Sequence, residues 1–138
     1  MPVPAPREAA AQPYVEVERL SKVFNPGPSQ VEAVRDVSFS VGSGEFVSIL
    51  GPSGCGKSTL LMMIGGLEAA SSGSVRIAGR PVTGSRAETG IIFQDPTLLP
   101  WKTVLDNVLF PVRIQHRELG PHTERALELL HMVGLYHF

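Results

Sequence analysis

A short stretch in the middle of the chain has the residues needed to bind a polyphosphate. It reads GPSGCGKS from Gly51 to Ser58, which fits the pattern G-x-x-x-x-G-K-[ST] without a mismatch. Backbone N–H groups can wrap around a phosphate only where no Cβ crowds the approach, and Gly51, Gly54 and Gly56 meet that condition. A helix that begins near Lys57 would add free N–H groups and the positive end of its dipole. We therefore predict a phosphate-binding loop.

The polar side chains of this loop have predicted tasks. The Lys57 ammonium would reach the β and γ phosphates of a nucleotide, the Ser58 hydroxyl would be a ligand of Mg²⁺, and Thr59 would hold the α phosphate. We assign Cys55 no nucleophilic role, because no His stands near it in sequence to activate a thiolate. The predicted binding set is Gly51, Pro52, Ser53, Gly54, Cys55, Gly56, Lys57, Ser58 and Thr59.

The loop needs a strand before it and a helix after it, and the hydrophobic pattern predicts both. The apolar run from Phe46 to Leu50 indicates a buried strand, and the apolar residues from Leu60 to Leu67 indicate a buried helix. A turn is expected at Asn25 to Pro28. Further strands are predicted over residues 14–20, 37–41, 74–78 and 90–93.

Two more helices are predicted in the last third of the chain. The first begins with a capping box at Thr103 and is expected to run to about Leu109, where Pro111 interrupts it. The second is expected from Pro121 to Val133 and ends at a glycine.

Composition limits the class of protein. The 138 residues allow one domain, and a net charge of -1 gives no electrostatic reason to expect nucleic acid as a partner. A single cysteine excludes an intrachain disulfide, and no apolar run has the ~18 residues that a membrane span needs. The proline- and alanine-rich residues 1–13 are predicted to be a disordered tail. The four histidines lack metal-ligand spacing and are expected on the surface.

Further motifs resemble those of ATP-binding cassette (ABC) ATPases. The segment VSFSVGSGEFV, which runs into GPSGCGKSTLL, is similar to the opening of these proteins, and IIFQ is similar to their Q-loop strand. About 36 residues separate Lys57 from Gln94, which suits the family. The resemblance implies that Gln94 reaches Mg²⁺ and the attacking water, so that Lys57 and Gln94 are the catalytic candidates and Ser58 and Gln94 the metal ligands. It also implies that Phe24 stacks on adenine, although a phenylalanine at a strand end is often a core residue.

The stretch that follows Gln94 is similar to the motor subunits of nitrate, sulfonate and taurine importers, and Leu-Leu-Pro-Trp is its distinctive part. The resemblance implies that permease subunits bind near Gln94 to Val108 and that a second copy of the ATPase forms a homodimer with the first. It also implies an indirect partner, a periplasmic or surface substrate-binding protein, and a location on the cytoplasmic face of the membrane. The alternative for Leu98, Leu99 and Trp101 is packing inside a helical subdomain. The solute itself is not specified.

The expected fold is an α/β P-loop NTPase core with an antiparallel β subdomain and the start of a helical subdomain. The family's LSGGQ-like signature, Walker B strand and switch histidine are not found, so residues 14–138 are interpreted as the N-terminal part of the nucleotide-binding domain. We expect ATP hydrolysis that drives solute import in the intact protein, and an inactive, poorly soluble chain when these 138 residues stand alone. The alternatives are another P-loop NTPase, such as a nucleotide kinase or a DNA-repair ATPase, or a catalytically dead nucleotide-binding fragment.

Overall fold

The computed structural model describes residues 13–95 and 98–138. Apart from Pro13, the predicted N-terminal tail lies outside these residues. The chain divides into two compact units, the first ending at Gly90 and the second beginning at Ile91.

The first unit contains an antiparallel sheet. Its strands are β1 (Val15–Phe24), β2 (Val31–Val41), β3 (Ser72–Ile77) and β4 (Arg80–Pro81), in the order β2-β1-β3-β4. Val17 in the central strand β1 pairs with Phe39 of β2 on one side and with Val75 of β3 on the other. The antiparallel β subdomain predicted from the sequence is therefore confirmed.

Strands β1 and β2 are longer than predicted because irregularities interrupt their alternating pattern. The register between them shifts on both sides of Leu20, and Arg19 and Asp36 have positive φ angles of 42° and 47°. At these irregularities serine hydroxyl oxygens accept hydrogen bonds from backbone N–H groups. Ser38 Oγ accepts from Arg19 N–H at 2.8 Å, and Ser21 Oγ accepts from Asp36 N–H at 2.9 Å. Each strand consequently continues past the point where simple alternation ends.

Helix α1 (Lys57–Ile64) lies against the sheet through one face. Leu60 and Met63 are buried, whereas Leu61 is 54% exposed. The prediction of a fully buried helix is therefore wrong for the described residues, since the sheet covers a single face. The core cluster that joins the helix to the sheet consists of Val17, Leu20, Val34, Leu60, Met63 and Val75.

Two predicted buried strands are absent from the described residues. Phe46 and Leu50 are each 91% exposed, Ile92 is fully exposed, and neither residues 45–50 nor residues 90–93 belong to a strand. A strand exists only where a neighbour accepts and donates its backbone hydrogen bonds, and neither segment has such a neighbour among the residues described. Both segments are apolar, but the prediction that they form buried strands is wrong for the described residues.

The second unit contains α2 (Val104–Ile114) and α3 (Leu119–Met132), which bury Leu109, Ala126 and Leu130. Helix α2 continues through Pro111, contrary to the prediction. The helical ladder is present beyond the proline, where Gln115 N–H donates to the Pro111 carbonyl oxygen at 3.2 Å. Helix α3 begins two residues earlier than predicted. None of the helices in the described part of the chain has the length and apolar character needed to cross a bilayer.

Candidate nucleotide-binding site

The predicted phosphate-binding loop occupies residues 51–56 as an irregular connection that leads directly into α1. Gly54 and Gly56 have φ angles of 79° and 92°, in the left-handed region that favours glycine. Gly56 also lies close to strand β2: a Cβ added there would stand 2.1 Å from the carbonyl oxygen of Ala33. The end of the loop is thus fixed against the antiparallel sheet, which sets where α1 begins.

The N-terminus of α1 is open to an anion. Gly56 is the N-cap and has no side chain to cap the helix, and the first turn carries no acidic residue. The backbone N–H groups of Lys57, Ser58 and Thr59 belong to the first turn and have no intrahelical acceptor, while the ladder begins with Leu60 N–H donating to Gly56 O at 2.8 Å. Free donors and the positive end of the helix dipole therefore meet at the loop.

The Lys57 side chain folds back over this loop. Its Nζ donates to the carbonyl oxygens of Gly51 at 2.9 Å and Pro52 at 2.7 Å, and lies 3.6 Å from the Cys55 Sγ. The ammonium is therefore held at the mouth of the loop by weak, exchangeable neutral acceptors. No carboxylate pairs with it among the described residues, so its charge faces the site.

Most of the remaining loop residues face solvent. Pro52, Ser53, Gly54, Cys55 and Ser58 are exposed. A Cβ added at Gly54 would meet nothing within 4 Å, so the space beside the loop is open at this residue. The Ser58 hydroxyl, on the first turn of α1, is the kind of hard oxygen donor that Mg²⁺ accepts.

Phe24 lies at the end of β1, next to the turn that leads into β2. Its backbone pairs with Val31, which stands two residues before Ala33, the residue against which Gly56 is packed. Since a strand rises about 3.4 Å per residue and neighbouring strands are about 5 Å apart, Phe24 lies roughly 10 Å from the end of the phosphate-binding loop. The structure thus brings Phe24 and the loop together at the same end of one unit.

Sequence reasoning missed Lys22. Its Nζ lies over the Phe24 ring, 4.8 Å from the ring centroid, and its side chain is only 12% exposed. The signal was present in the strand period, because residues two apart on a strand share a face. An aromatic and a cation at that spacing form a cation–π pair when both stay on one face.

Gln94 belongs to the second unit, where it is exposed in a segment without strand pairing. Its predicted roles toward Mg²⁺ and the attacking water stay predictions.

The predicted interface segment is at the surface of the second unit. Pro96 and Thr97 lie outside the described residues, but Leu98 is 68% exposed and Trp101 is 74% exposed. Leu99 is half-buried and, like Leu98, lines an apolar cavity of about 600 Å³ beside α2 and α3. The alternative of packing inside the helical unit therefore does not describe Leu98 or Trp101, and it describes Leu99 only in part.

The Asn107 side chain, on α2, holds the backbone of this loop. Its Oδ1 accepts from Leu99 N–H at 2.7 Å, and its Nδ2 donates to the carbonyl oxygens of Leu99 at 3.2 Å and Thr103 at 2.9 Å. Thr103 caps the helix by accepting from Asp106 N–H at 3.1 Å, which confirms the predicted helix start; the Asp106 carboxylate accepts from the Thr103 hydroxyl and not from its backbone N–H, so the capping box is formed in part. The hydrogen bond that Thr103 donates to the Asp106 carboxylate, helped by the nearby charge of Arg113, lowers the pKa of Asp106.

A glycine-lined loop that ends in Lys57 and Ser58 at an uncapped helix N-terminus defines a P-loop protein. The chain belongs to the ABC transporter family, whose family model matches residues 34–138. The family resemblance predicted from the sequence is confirmed, and a nucleotide kinase is not the family matched.

Curated relatives and solved structures agree with this assignment. The chain is 40% identical over 124 residues to an uncharacterized ABC transporter ATP-binding protein of Methanocaldococcus jannaschii, with 90% of this chain and 46% of the relative covered. It is 42% identical over 121 residues to the taurine import ATP-binding protein TauB of Burkholderia pseudomallei, covering 88% of this chain and 46% of the relative. The bicarbonate transport ATP-binding protein CmpD of Synechocystis is 35% identical over 137 residues, with 98% and 49% covered. The chain therefore spans about half the length of the curated relatives it matches.

A dimeric ATP-binding cassette solved in a post-hydrolysis state with ADP and Pi has a TM-score of 0.75 and 34% identity to this chain. The match covers 86% of this chain and 56% of that cassette. This likeness confirms the predicted fold class, an α/β P-loop ABC ATPase core with an antiparallel β subdomain.

Proposed function

We propose that this chain is the part of an ATP-hydrolysing transporter subunit that holds the nucleotide, and that the intact protein energises the import of a small solute. The observation that carries the proposal is the loop itself: left-handed glycines, a helix N-terminus without a side-chain cap, and an ammonium that pairs with no carboxylate among the described residues lie within a few positions of one another. This combination suits a polyphosphate.

Different residues would bind different parts of the nucleotide. The loop from Gly51 to Thr59 would hold the phosphates, and Phe24, at the same end of the first unit, would offer its ring to adenine. The hydroxyl of Ser58 fits Mg²⁺, and the carboxamide oxygen of Gln94 is a second donor of the same hard type. When bound, Mg²⁺ would neutralise phosphate charge. Lys57 would stabilise the charge that develops on the transferred phosphoryl group while water attacks it.

The names of two relatives support the proposed class of solute. Two of them are named for taurine import and bicarbonate transport, so we propose a small solute such as taurine, a sulfonate or nitrate. A second copy of the ATPase is supported by the dimeric state of the solved cassette. Permease subunits, a substrate-binding protein and a position on the cytoplasmic face of the membrane complete the proposal.

The adenine platform tests the nucleotide part of this proposal. In the intact protein, Phe24→Leu should weaken ATP binding about tenfold, because stacking of a base on an aromatic ring contributes roughly 1–3 kcal/mol. Isothermal titration calorimetry with ATP in the presence of Mg²⁺ measures the change.

Phe39→Leu, on β2, is the matched control. Phe39 is a half-buried aromatic packed against the core, so its replacement should lower thermal stability and leave ATP affinity unchanged. Equal ATP affinity in wild-type protein and Phe24→Leu would remove Phe24 from the site, and absence of ATP binding by the intact wild-type protein would reject the function.

The exposed tryptophan tests the transporter part. Trp101→Ala should leave ATP hydrolysis by the intact subunit alone within about twofold of wild type, since the side chain is at the surface of the second unit. It should strongly reduce assembly with the membrane subunits, because exposed aromatics contribute a large share of interface energy. Co-purification with the permease and solute uptake by the reconstituted complex measure this.

Tyr136→Ala, which removes another exposed aromatic of the same unit, should assemble normally. Unfolding of the Trp101→Ala subunit would show instead that Trp101 is a core residue of the intact protein.

A further inference from the structure

We propose that Lys22 is a positioning residue for the adenine platform, a role that rests on the proposed function. It covers one face of the Phe24 ring and connects that ring to the segment that follows the phosphate-binding helix. The ring is then presented to the base through its opposite face only.

The position of the ammonium is the first argument. Lys22 Nζ lies 4.8 Å from the Phe24 ring centroid, which is within the range of a cation–π interaction. Both residues project from β1 two positions apart, so the strand keeps them on one side. With one face of the ring occupied by the ammonium, a base has only the other face on which to stack.

The anchoring of the ammonium is the second argument. Lys22 Nζ forms an ion pair with Glu68 and donates to the carbonyl oxygen of Ala69 at 2.8 Å. With only 12% of its side chain exposed, Lys22 is less accessible than any other residue in the ion pairs of the described chain. Such a side chain has one defined position, unlike the freely rotating lysines of a protein surface.

The segment that anchors Lys22 is the third argument. Residues 68–71 lie between α1 and β3, separated from the end of α1 only by the non-helical residues 65–67, so they follow closely the helix whose N-terminus would hold the phosphates. The same segment holds the end of β1 at other points: Ser71 Oγ accepts from Val23 N–H at 3.0 Å, and Ser71 N–H donates to Ser21 O at 2.9 Å. The adenine platform and the phosphate-binding helix are therefore connected through one short segment, with Lys22 as its side-chain link to the ring.

The test compares ATP with inorganic tripolyphosphate, which has the phosphates but no base. In the intact protein, Lys22→Met should weaken ATP binding roughly threefold to tenfold and leave tripolyphosphate binding unchanged, because only the base contacts the ring. Lys22→Arg should restore ATP affinity to within about twofold of wild type, since guanidinium also binds an aromatic face. Competition titrations in Mg²⁺ buffer measure both ligands.

A double-variant cycle identifies the route of the effect. In a Phe24→Leu background, Lys22→Met should weaken ATP binding no further, because the ring through which Lys22 acts is gone. Glu68→Gln is the matched control for the ion pair: it removes the partner charge but keeps the ammonium and its bond to Ala69, so ATP affinity should stay within about twofold of wild type.

Equal loss of ATP and tripolyphosphate affinity in Lys22→Met would overturn the proposal, as would a full effect in the Phe24→Leu background or an equal effect of Glu68→Gln. Failure of the proposed function has a different signature, because the intact wild-type protein would then bind no ATP. Unchanged ATP affinity in Phe24→Leu would remove Phe24 from the site and reject the positioning role with it.

Discussion

Replacement of Lys57 by alanine should reduce ATP hydrolysis by the intact protein by roughly a hundredfold to a thousandfold, the range expected when one donor to developing transition-state charge is lost. The ammonium stands at the mouth of the loop, where its partners among the described residues are neutral: the carbonyl oxygens of Gly51 and Pro52 and the Cys55 Sγ. It is therefore free to exchange these acceptors for phosphate oxygens. No other side chain of the loop carries a positive charge that could replace it.

The measurement is steady-state phosphate release at saturating ATP and Mg²⁺, with ATP affinity determined separately. Arg117→Ala removes one positive charge from the exposed surface of the second unit and serves as the charge-matched control, with turnover within about twofold of wild type. A Lys57→Ala protein that kept most of its turnover would show that this loop is not the hydrolytic site.

Gly56→Ala should disrupt the same site through the backbone alone. The new Cβ would stand 2.1 Å from the Ala33 carbonyl oxygen, which belongs to strand β2 and cannot rotate away, and the φ angle of 92° adds strain. We expect the free energy of unfolding to fall by about 3 kcal/mol or more, and ATP affinity to fall by more than about a hundredfold. Thermal unfolding and calorimetry measure the two effects.

Gly54→Ala separates the effect of backbone strain from that of a steric clash. Gly54 also has a left-handed φ angle, 79°, but a Cβ there meets nothing within 4 Å. The free energy of unfolding should therefore fall only by the conformational penalty of the left-handed φ angle, about 1–2 kcal/mol. If both variants lost the same stability, the close approach of the loop to β2 would not be what fixes the site.

The loop could be predicted from sequence because its chemistry is local. The glycines, Lys57 and Ser58 lie within a few residues, and the start of α1 follows from the same motif. The antiparallel sheet was also predictable in type, since alternation in residues 14–20 and 37–41 depends on neighbours two positions away. These features need no knowledge of distant parts of the chain.

The features that were missed depend on distant partners. The apolar run at Phe46 predicts a strand, but a strand also needs a neighbour, which the described residues do not supply. The continuation of β1 depends on hydroxyl groups of Ser21 and Ser38 at bulges that no local pattern announces. The spacing of Lys22 and Phe24 is local, but the ion pair that holds the Lys22 side chain involves Glu68, which is 46 positions away in sequence.

The hydrogen bonds of Asn107 have a consequence for the dissociation rate of an assembled complex. Because one amide group fixes the backbone at Leu99 and Thr103, the segment between them keeps its shape before any partner arrives. The segment then loses its conformational entropy when the subunit folds and not when the partner binds. A partner that binds Trp101 would meet a rigid surface, so the lifetime of the complex would depend on the contacts at that surface and not on reordering of the loop.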